Sequence, residues 1–169
     1  MSKKEHLPMM GVGPFYGIGI IACTVAGIIA SKEGVLPSGK IEILKIPFMI
    51  LGIALIVTGV AIWMSAIFQA KIDEGILNNS LVTTGVYTYV RNPIYSAFMI
   101  ACTGALLIAG NLWLLVLPFL YWGFMTVLMK NTEEKWLRDL YGEEYIAYCK
   151  RVNRCIPWKR RDRKRKGRC

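Results

Sequence analysis

Three long stretches of this chain carry no charged residue, and they restrict its possible folds more than any other feature. They are residues 15–30, 46–70 and 93–129. A transmembrane helix needs about 20 predominantly apolar residues. The second stretch can span a bilayer alone, the third is long enough for two helices joined at Gly110-Asn111, and the first becomes long enough if it begins further upstream. The sequence therefore predicts an all-α, polytopic membrane protein with about four transmembrane helices. The predicted spans cover residues 10–30, 46–70, 93–109 and 112–129.

The composition agrees with this interpretation, because 54% of the residues are hydrophobic and only 19% are charged. A cleaved signal peptide is an alternative for the first stretch, since Lys3 and Lys4 precede it. No clear small-x-small cleavage site lies before Ser31, so we favour a retained span. We expect residues 1–169 to form a single membrane domain.

The basic residues predict the orientation. The net charge of +10 comes mostly from the C-terminal end, from Lys150 and Arg154 through a basic tail over residues 159–169. Basic residues near span ends favour the cytoplasmic side, and four spans put both termini on the same side. We therefore expect an inner-membrane protein, or its equivalent, with both termini cytoplasmic. The tail is typical of a segment that contacts anionic lipid headgroups. Without interleaved aromatic residues or a recognisable module, it does not favour nucleic-acid binding.

Metal binding is not expected. The five cysteines form no Cys-x-x-Cys pair, and His6 is the only histidine. An ordinary zinc site needs several such ligands at close spacing.

A polar segment over residues 81–95, with the sequence LVTTGVYTYVRNPIY, separates the second and third charge-free stretches. Proline fixes φ and lacks an N–H, so Pro93 suits the first turn of a helix. Asn92 can act as the N-cap of that helix. Arg91 then lies at the water boundary, where the next span begins.

A second polar cluster, Asn131-Thr132-Glu133-Glu134, follows the last charge-free stretch. It can be a capping box, with Asn131 as the cap and Glu134 at the third helical position. The amphipathic segment after it has Leu137, Tyr141, Tyr145 and Tyr148 on one helical face, and Gly142 predicts a kink. Pro118 lies inside the fourth span, where we expect a kink unless neighbouring residues compensate for the proline. We expect the two polar clusters to be the walls of one site at a membrane face.

Several motifs together resemble those of the isoprenylcysteine carboxyl methyltransferases and the related phospholipid methyltransferases. The resemblance covers about residues 79–158, which would form the catalytic core. Its motifs are Leu81-Val82, Gly85, Tyr87, Arg91-Asn92-Pro93, Tyr95, Glu133-Glu134, Leu137, Tyr141-Gly142-Glu143-Glu144-Tyr145, Tyr148 and Pro157.

This resemblance implies an integral membrane methyltransferase that uses S-adenosylmethionine (SAM). The acceptor would be lipophilic or dissolved in the membrane: an isoprenylcysteine-like carboxylate, a phospholipid amine or a small thiol. The cofactor would lie in a cytoplasmic pocket. The residues that the resemblance assigns to the cofactor are Asn79, Ser80, Leu81, Val82, Tyr87, Asn92, Pro93, Tyr95 and Glu133.

Three further residues are candidates for a catalytic role. Arg91 can bind the carboxylate of the cofactor, or pair with Glu133 or Glu134 and order the pocket. Glu134 or Tyr95 is a candidate base for an ammonium acceptor, which must lose a proton before it reacts. Lys130 follows Met129, the position at which the carboxyl methyltransferases carry an arginine for the acceptor. Tyr89, Tyr141 and Tyr148 are assigned to packing.

Two other functions remain open at this point. Sterol reductases share a similar C-terminal helical scaffold, which makes an NADPH-dependent membrane reductase the alternative enzyme. A non-catalytic membrane adaptor that acts through the basic tail is the alternative of another class. The sequence does not fix the acceptor or the oligomeric state.

Overall fold

The structure is a computed structural model that describes residues 12–68 and 80–156. Within these residues it contains five α-helices and three short 3-10 helices. The α-helices are α1 (Gly13–Lys32), α2 (Lys45–Phe68), α3 (Pro93–Ala109), α4 (Leu117–Asn131) and α5 (Glu133–Arg151). The 3-10 helices are Glu42–Leu44, Gly85–Thr88 and Leu112–Val116. Some predictions concern residues outside the described ranges. They are the predictions for Asn79, for the tail over 159–169, and for residues 10–11, 69–70 and 157–158 at the ends of the predicted spans and core.

The boundaries of α3 follow from its sequence. Pro93 occupies the first turn and Asn92 the N-cap position, as predicted, although the Asn92 side chain does not cap the helix. Gly110 ends α3 with a φ of 70°, a left-handed conformation that glycine adopts without steric cost. The predicted break at Gly110-Asn111 is therefore confirmed.

Two local predictions are wrong. Pro118 lies in the first turn of α4, after the 3-10 helix Leu112–Val116, so it begins a helix and does not kink one. The capping box does not form either, because Asn131 still belongs to α4 and Thr132 is the N-cap of α5 without a capping hydrogen bond from its side chain. Glu134 instead binds Arg154.

The predicted kink at Gly142 is confirmed. Gly142 has φ 52° and ψ −125°, values that lie outside the helical region, so α5 consists of two helical pieces. A left-handed φ is expensive for residues with a Cβ, which explains why glycine occupies the break.

Helix α3 lies at the centre of the bundle and packs against α1, α2 and α4. Its contact with α2 is the closest, because a Cβ added to Gly52 would lie 2.6 Å from the backbone oxygen of Gly104. Gly59 approaches Ala97 in the same way, with 2.8 Å from an added Cβ to the backbone oxygen. Small residues allow such backbone contact between membrane helices. Gly52 and Gly59 therefore lie on the face of α2 that packs against α3.

The outer surface of the bundle is apolar. Within residues 12–68 and 80–156, three segments are long and apolar enough to cross a membrane: Gly13–Lys32, Glu42–Phe68 and Leu112–Asn131, with α3 as a shorter apolar helix of 17 residues. Large hydrophobic side chains on α2 point outward, among them Ile46, Ile50 and Val57, which are one and two helical turns apart. These features confirm an all-α integral membrane protein.

The chain passes up and down through the bundle, so the helix ends meet in two groups. At one end, Lys40 pairs with Asn111 in an isolated bridge between the α1–α2 and α3–α4 connections. At the other end, the start of α1 meets the start of α5, since the Val12 N–H donates a hydrogen bond to Glu133. The two predicted polar clusters lie at this second end.

Candidate active site

A cavity of about 730 Å³ lies at the end of the bundle that carries the two polar clusters. Helices α1, α2, α3 and α5 contribute to its wall, together with the segment that precedes α3. The predicted site residues that line it are Ser80, Leu81, Val82, Tyr87, Arg91, Asn92, Tyr95 and Glu133. The structure therefore brings together, at one cavity, residues from both polar clusters.

Glu133 occupies the wall where α5 begins. Its Oε1 atom accepts hydrogen bonds from the Tyr95 hydroxyl and from the Val12 N–H, the latter at 3.1 Å. Burial raises the pKa of Glu133 above its ordinary value, although these two hydrogen bonds partly offset the effect. A partly desolvated carboxylate of this kind favours a cationic partner.

Tyr87 and Tyr148 join two walls of the cavity. The Tyr148 hydroxyl donates a 2.6 Å hydrogen bond to the backbone carbonyl of Tyr87, which links α5 to the 3-10 helix Gly85–Thr88. Burial raises the pKa of both phenols, and the charge of Glu133 adds to the effect at Tyr87. Both phenols stay neutral at physiological pH, and both residues line the cavity.

Arg91 is a buried cation at the cavity wall, with a side chain that is 10% exposed. Its Nη1 atom lies 3.3 Å from Glu134 Oε1, so the predicted pairing of Arg91 with Glu134 occurs. Nη1 also donates to the sulfur of Cys149. Its Nε atom is buried and has no hydrogen-bond partner among the residues that the structure describes. An unsatisfied buried donor is costly, which suits a site that receives an acceptor group from a ligand.

Three of the residues predicted for the site do not line the cavity: Pro93, Lys130 and Glu134. Lys130 is exposed near the end of α4, and neighbouring Met129 is fully buried in the core. Glu134 is buried against two arginines. Burial opposes its ionisation, but the hydrogen bonds from Arg154 and the charges of Arg91 and Arg154 outweigh this and hold the pKa of Glu134 below its ordinary value.

The cavity also has walls that the sequence interpretation missed. Tyr141 and Tyr148, assigned to packing, line it together with Leu137 and Tyr145. At the opposite side the wall is apolar and belongs to membrane-spanning helices, with Ile18 and Ile21 on α1, Trp63 and Ile67 on α2, and Phe98 on α3. The tyrosines of α5 lie four and three residues apart, on one helical face, and this spacing could have predicted one wall of the cavity. No local sequence pattern indicates that α1 and α2 form the opposite wall.

The exposure of these apolar residues indicates how the cavity opens. Ile18 is 69% exposed and Ile67 is 41% exposed, on a bundle surface that is otherwise apolar. The cavity thus combines a polar, aromatic part beside Glu133 and Tyr87 with an apolar part on the membrane-spanning helices, the apolar mouth. The fold and the site together define an integral membrane protein with a cavity whose wall is formed partly by its apolar helices.

Comparisons with known proteins agree with this class. Residues 47–144, more than half of the chain, match the model of the phospholipid methyltransferase family. The chain belongs to this family, which confirms the resemblance seen in its motifs. No solved structure matches the chain.

Curated relatives match over a shorter stretch. A protein-S-isoprenylcysteine O-methyltransferase of Schizosaccharomyces pombe is 37% identical over 78 residues, 46% of this chain and 33% of the relative. A methanethiol S-methyltransferase of Bradyrhizobium diazoefficiens is 38% identical over 76 residues, 44% of this chain and 25% of the relative. The matched stretch thus covers a third or less of either relative's own length.

Proposed function

We propose that this protein is a SAM-dependent methyltransferase whose acceptor is lipophilic or dissolved in the membrane. The observation that carries the proposal is the cavity itself, in which Glu133, Arg91 and Tyr87 face one space that is continuous with an apolar mouth. Family membership supports the same conclusion.

The residues at the polar part of the cavity fit SAM. The half-buried Glu133 carboxylate matches the ammonium group, and the guanidinium of Arg91, a residue that lines the cavity and whose Nε has no partner among the described residues, matches the carboxylate. Tyrosine faces attract a sulfonium cation by about 0.5–2 kcal/mol. We also assign to the cofactor five residues that line the cavity: Ser80, Leu81, Val82, Asn92 and Tyr95. Asn79, and Pro93 at the start of α3, complete the proposed cofactor site.

SAM would supply a methyl group that is already activated for transfer. The chain's own residues would then need to hold the reacting groups in line and exclude water, and alignment alone is worth up to about 7–11 kcal/mol. Arg91 and Glu133 would bind the two charged ends. The apolar mouth between α1 and α2 would admit the acceptor, so that its apolar part stays in contact with the bilayer.

Proton removal matters only for an ammonium acceptor. Glu134, the candidate base, has a lowered pKa and is paired with two arginines, which makes it a weak base. A carboxylate or thiolate acceptor would need no base.

The proposal also includes the orientation of the protein. The cavity end carries Arg91 and Lys130, and basic residues at span ends favour the cytoplasm. This end would face the cytoplasm, where SAM is available, and both termini would lie on that side. The basic tail would contact anionic headgroups.

The test is ligand binding by calorimetry to purified protein in lipid nanodiscs, with SAM and NADPH as parallel ligands. The proposal expects saturable SAM binding and none of NADPH. NADPH binding without SAM binding would favour a reductase, and binding of neither would favour an adaptor.

A further inference from the structure

Arg154 lies outside the cavity but is bonded to two of its walls. After α5 ends, the chain runs back beside the segment that precedes α3. The Arg91 N–H donates to the Asn153 carbonyl at 2.8 Å, and the Asn92 N–H donates to the Arg154 carbonyl at 3.2 Å. The backbone carbonyls of Asn153 and Arg154 therefore hold Arg91 and Asn92, the first two residues of the Arg-Asn-Pro motif.

The side chain of Arg154 binds Glu134 in a two-pronged manner. Its Nε donates to Oε1 at 2.6 Å and its Nη2 donates to Oε2 at 2.8 Å. The Glu134 side chain is 8% exposed and that of Arg154 is 19% exposed. Bidentate charge-assisted pairs of this kind are strong and fixed in geometry.

Two guanidinium groups thus share one carboxylate. Arg91 has a single, longer contact with Glu134, at 3.3 Å, while Arg154 satisfies both oxygens. Glu134 supplies one negative charge against the two positive charges, so the cluster is left with net positive charge. Of the two arginines, Arg91 is the one that lines the cavity, and its Nε is buried without a partner among the described residues.

We propose that Arg154 is a positioning residue that occupies Glu134 and thereby leaves the Arg91 guanidinium available to an anionic group in the cavity. If Arg154 is removed, both oxygens of Glu134 become free to bind Arg91 in the same two-pronged way. Glu134 then occupies the Arg91 guanidinium, and the ligand binds more weakly although Arg91 itself is unchanged. This inference rests on the proposed function only for the identity of the anionic group, which would be the carboxylate of SAM.

A double-mutant comparison tests the competition directly. Arg154→Gln should raise the dissociation constant of SAM by about tenfold to a hundredfold, the loss expected when a charged hydrogen-bonding group is withdrawn. Adding Glu134→Gln to Arg154→Gln should restore most of the affinity, because no carboxylate remains to capture Arg91. A purely structural role of the Arg154–Glu134 pair predicts instead that the double variant binds no better than Arg154→Gln.

A second readout needs no ligand. Phenylglyoxal modifies accessible arginines, and mass spectrometry of the Arg91 peptide gives the rate at this residue in nanodiscs. The rate should fall in Arg154→Gln and return in Glu134→Gln/Arg154→Gln. Arg151→Gln is the matched control, since it removes an exposed arginine from the end of α5, three residues before Arg154, and should leave both readouts unchanged.

Arg154→Lys is a second variant that can be tested if Arg154→Gln fails to fold. Lysine keeps the charge but makes one contact, so one oxygen of Glu134 becomes free and an intermediate loss in both readouts is expected. The inference is overturned if Arg154→Lys matches the wild type, or if the double variant matches Arg154→Gln. If the wild-type protein fails to bind SAM, the proposed function falls, while the Arg91 modification rates still decide this inference.

Discussion

Replacement of Glu133 by glutamine is the sharpest test of the cofactor assignment. Glutamine keeps the shape of the side chain and an Oε1 atom that can accept from Tyr95 and Val12, so the cavity wall should persist. Only the charge is lost. A hydrogen bond to a charged group contributes about 1.5–3 kcal/mol. The dissociation constant of SAM should therefore rise by about 10- to 150-fold.

The assay is calorimetric titration with SAM in nanodiscs, after gel filtration and thermal unfolding have shown that the variant is intact. Glu143→Gln is the matched control, because Glu143 is an exposed carboxylate on the same helix and does not line the cavity. An intact Glu133→Gln protein that binds SAM as tightly as the wild type would refute the reasoning.

Three further predictions concern packing, pH and the cavity wall. Gly52→Ala places a Cβ 2.6 Å from a backbone oxygen of α3 and should destabilise the protein by about 1–3 kcal/mol in thermal unfolding, whereas Gly19→Ala, with open space around it, should not. The raised pKa of Glu133 means that the ligand-free folded protein holds this proton more tightly than the unfolded chain. Its contribution to the free energy of unfolding is therefore largest below the ordinary value of 4.5 and is lost as the pH rises through the raised pKa; Glu133→Gln should abolish this slope in pH-dependent unfolding. Tyr148→Phe removes the hydrogen bond to Tyr87 and should cost about 0.5–1.5 kcal/mol in the same unfolding assay, and an unchanged midpoint would contradict that bond.

The sequence predicted the features that depend on local patterns. Charge-free stretches predicted the spanning helices, Pro93 and Gly110 predicted the ends of α3, and Gly142 predicted the kink in α5. Each of these follows from backbone restrictions or from the exclusion of charge from lipid.

Contacts between distant parts of the chain were harder to predict. Glu134 satisfied the spacing of a capping box, but Arg154, twenty positions later, provides its partner. That arginine was counted among the basic residues near the C-terminus because nothing in its neighbourhood distinguishes it from them. Likewise, the wall formed by Ile18 and Trp63 depends on how α1 and α2 are arranged around α3, which a periodic pattern does not encode.

An assay of methyl transfer tests directly whether this protein is a SAM-dependent methyltransferase with a lipophilic acceptor. Purified protein in nanodiscs made from native lipids would be incubated with SAM that carries a radiolabelled methyl group, and the organic-soluble fraction would be counted, with methanethiol and a prenylated cysteine as added acceptors. We expect labelled product from the wild type and much less labelled product from Glu133→Gln. Wild-type protein that binds SAM but labels none of these acceptors would contradict a lipophilic acceptor, and protein that neither binds SAM nor transfers its methyl group would contradict the whole account.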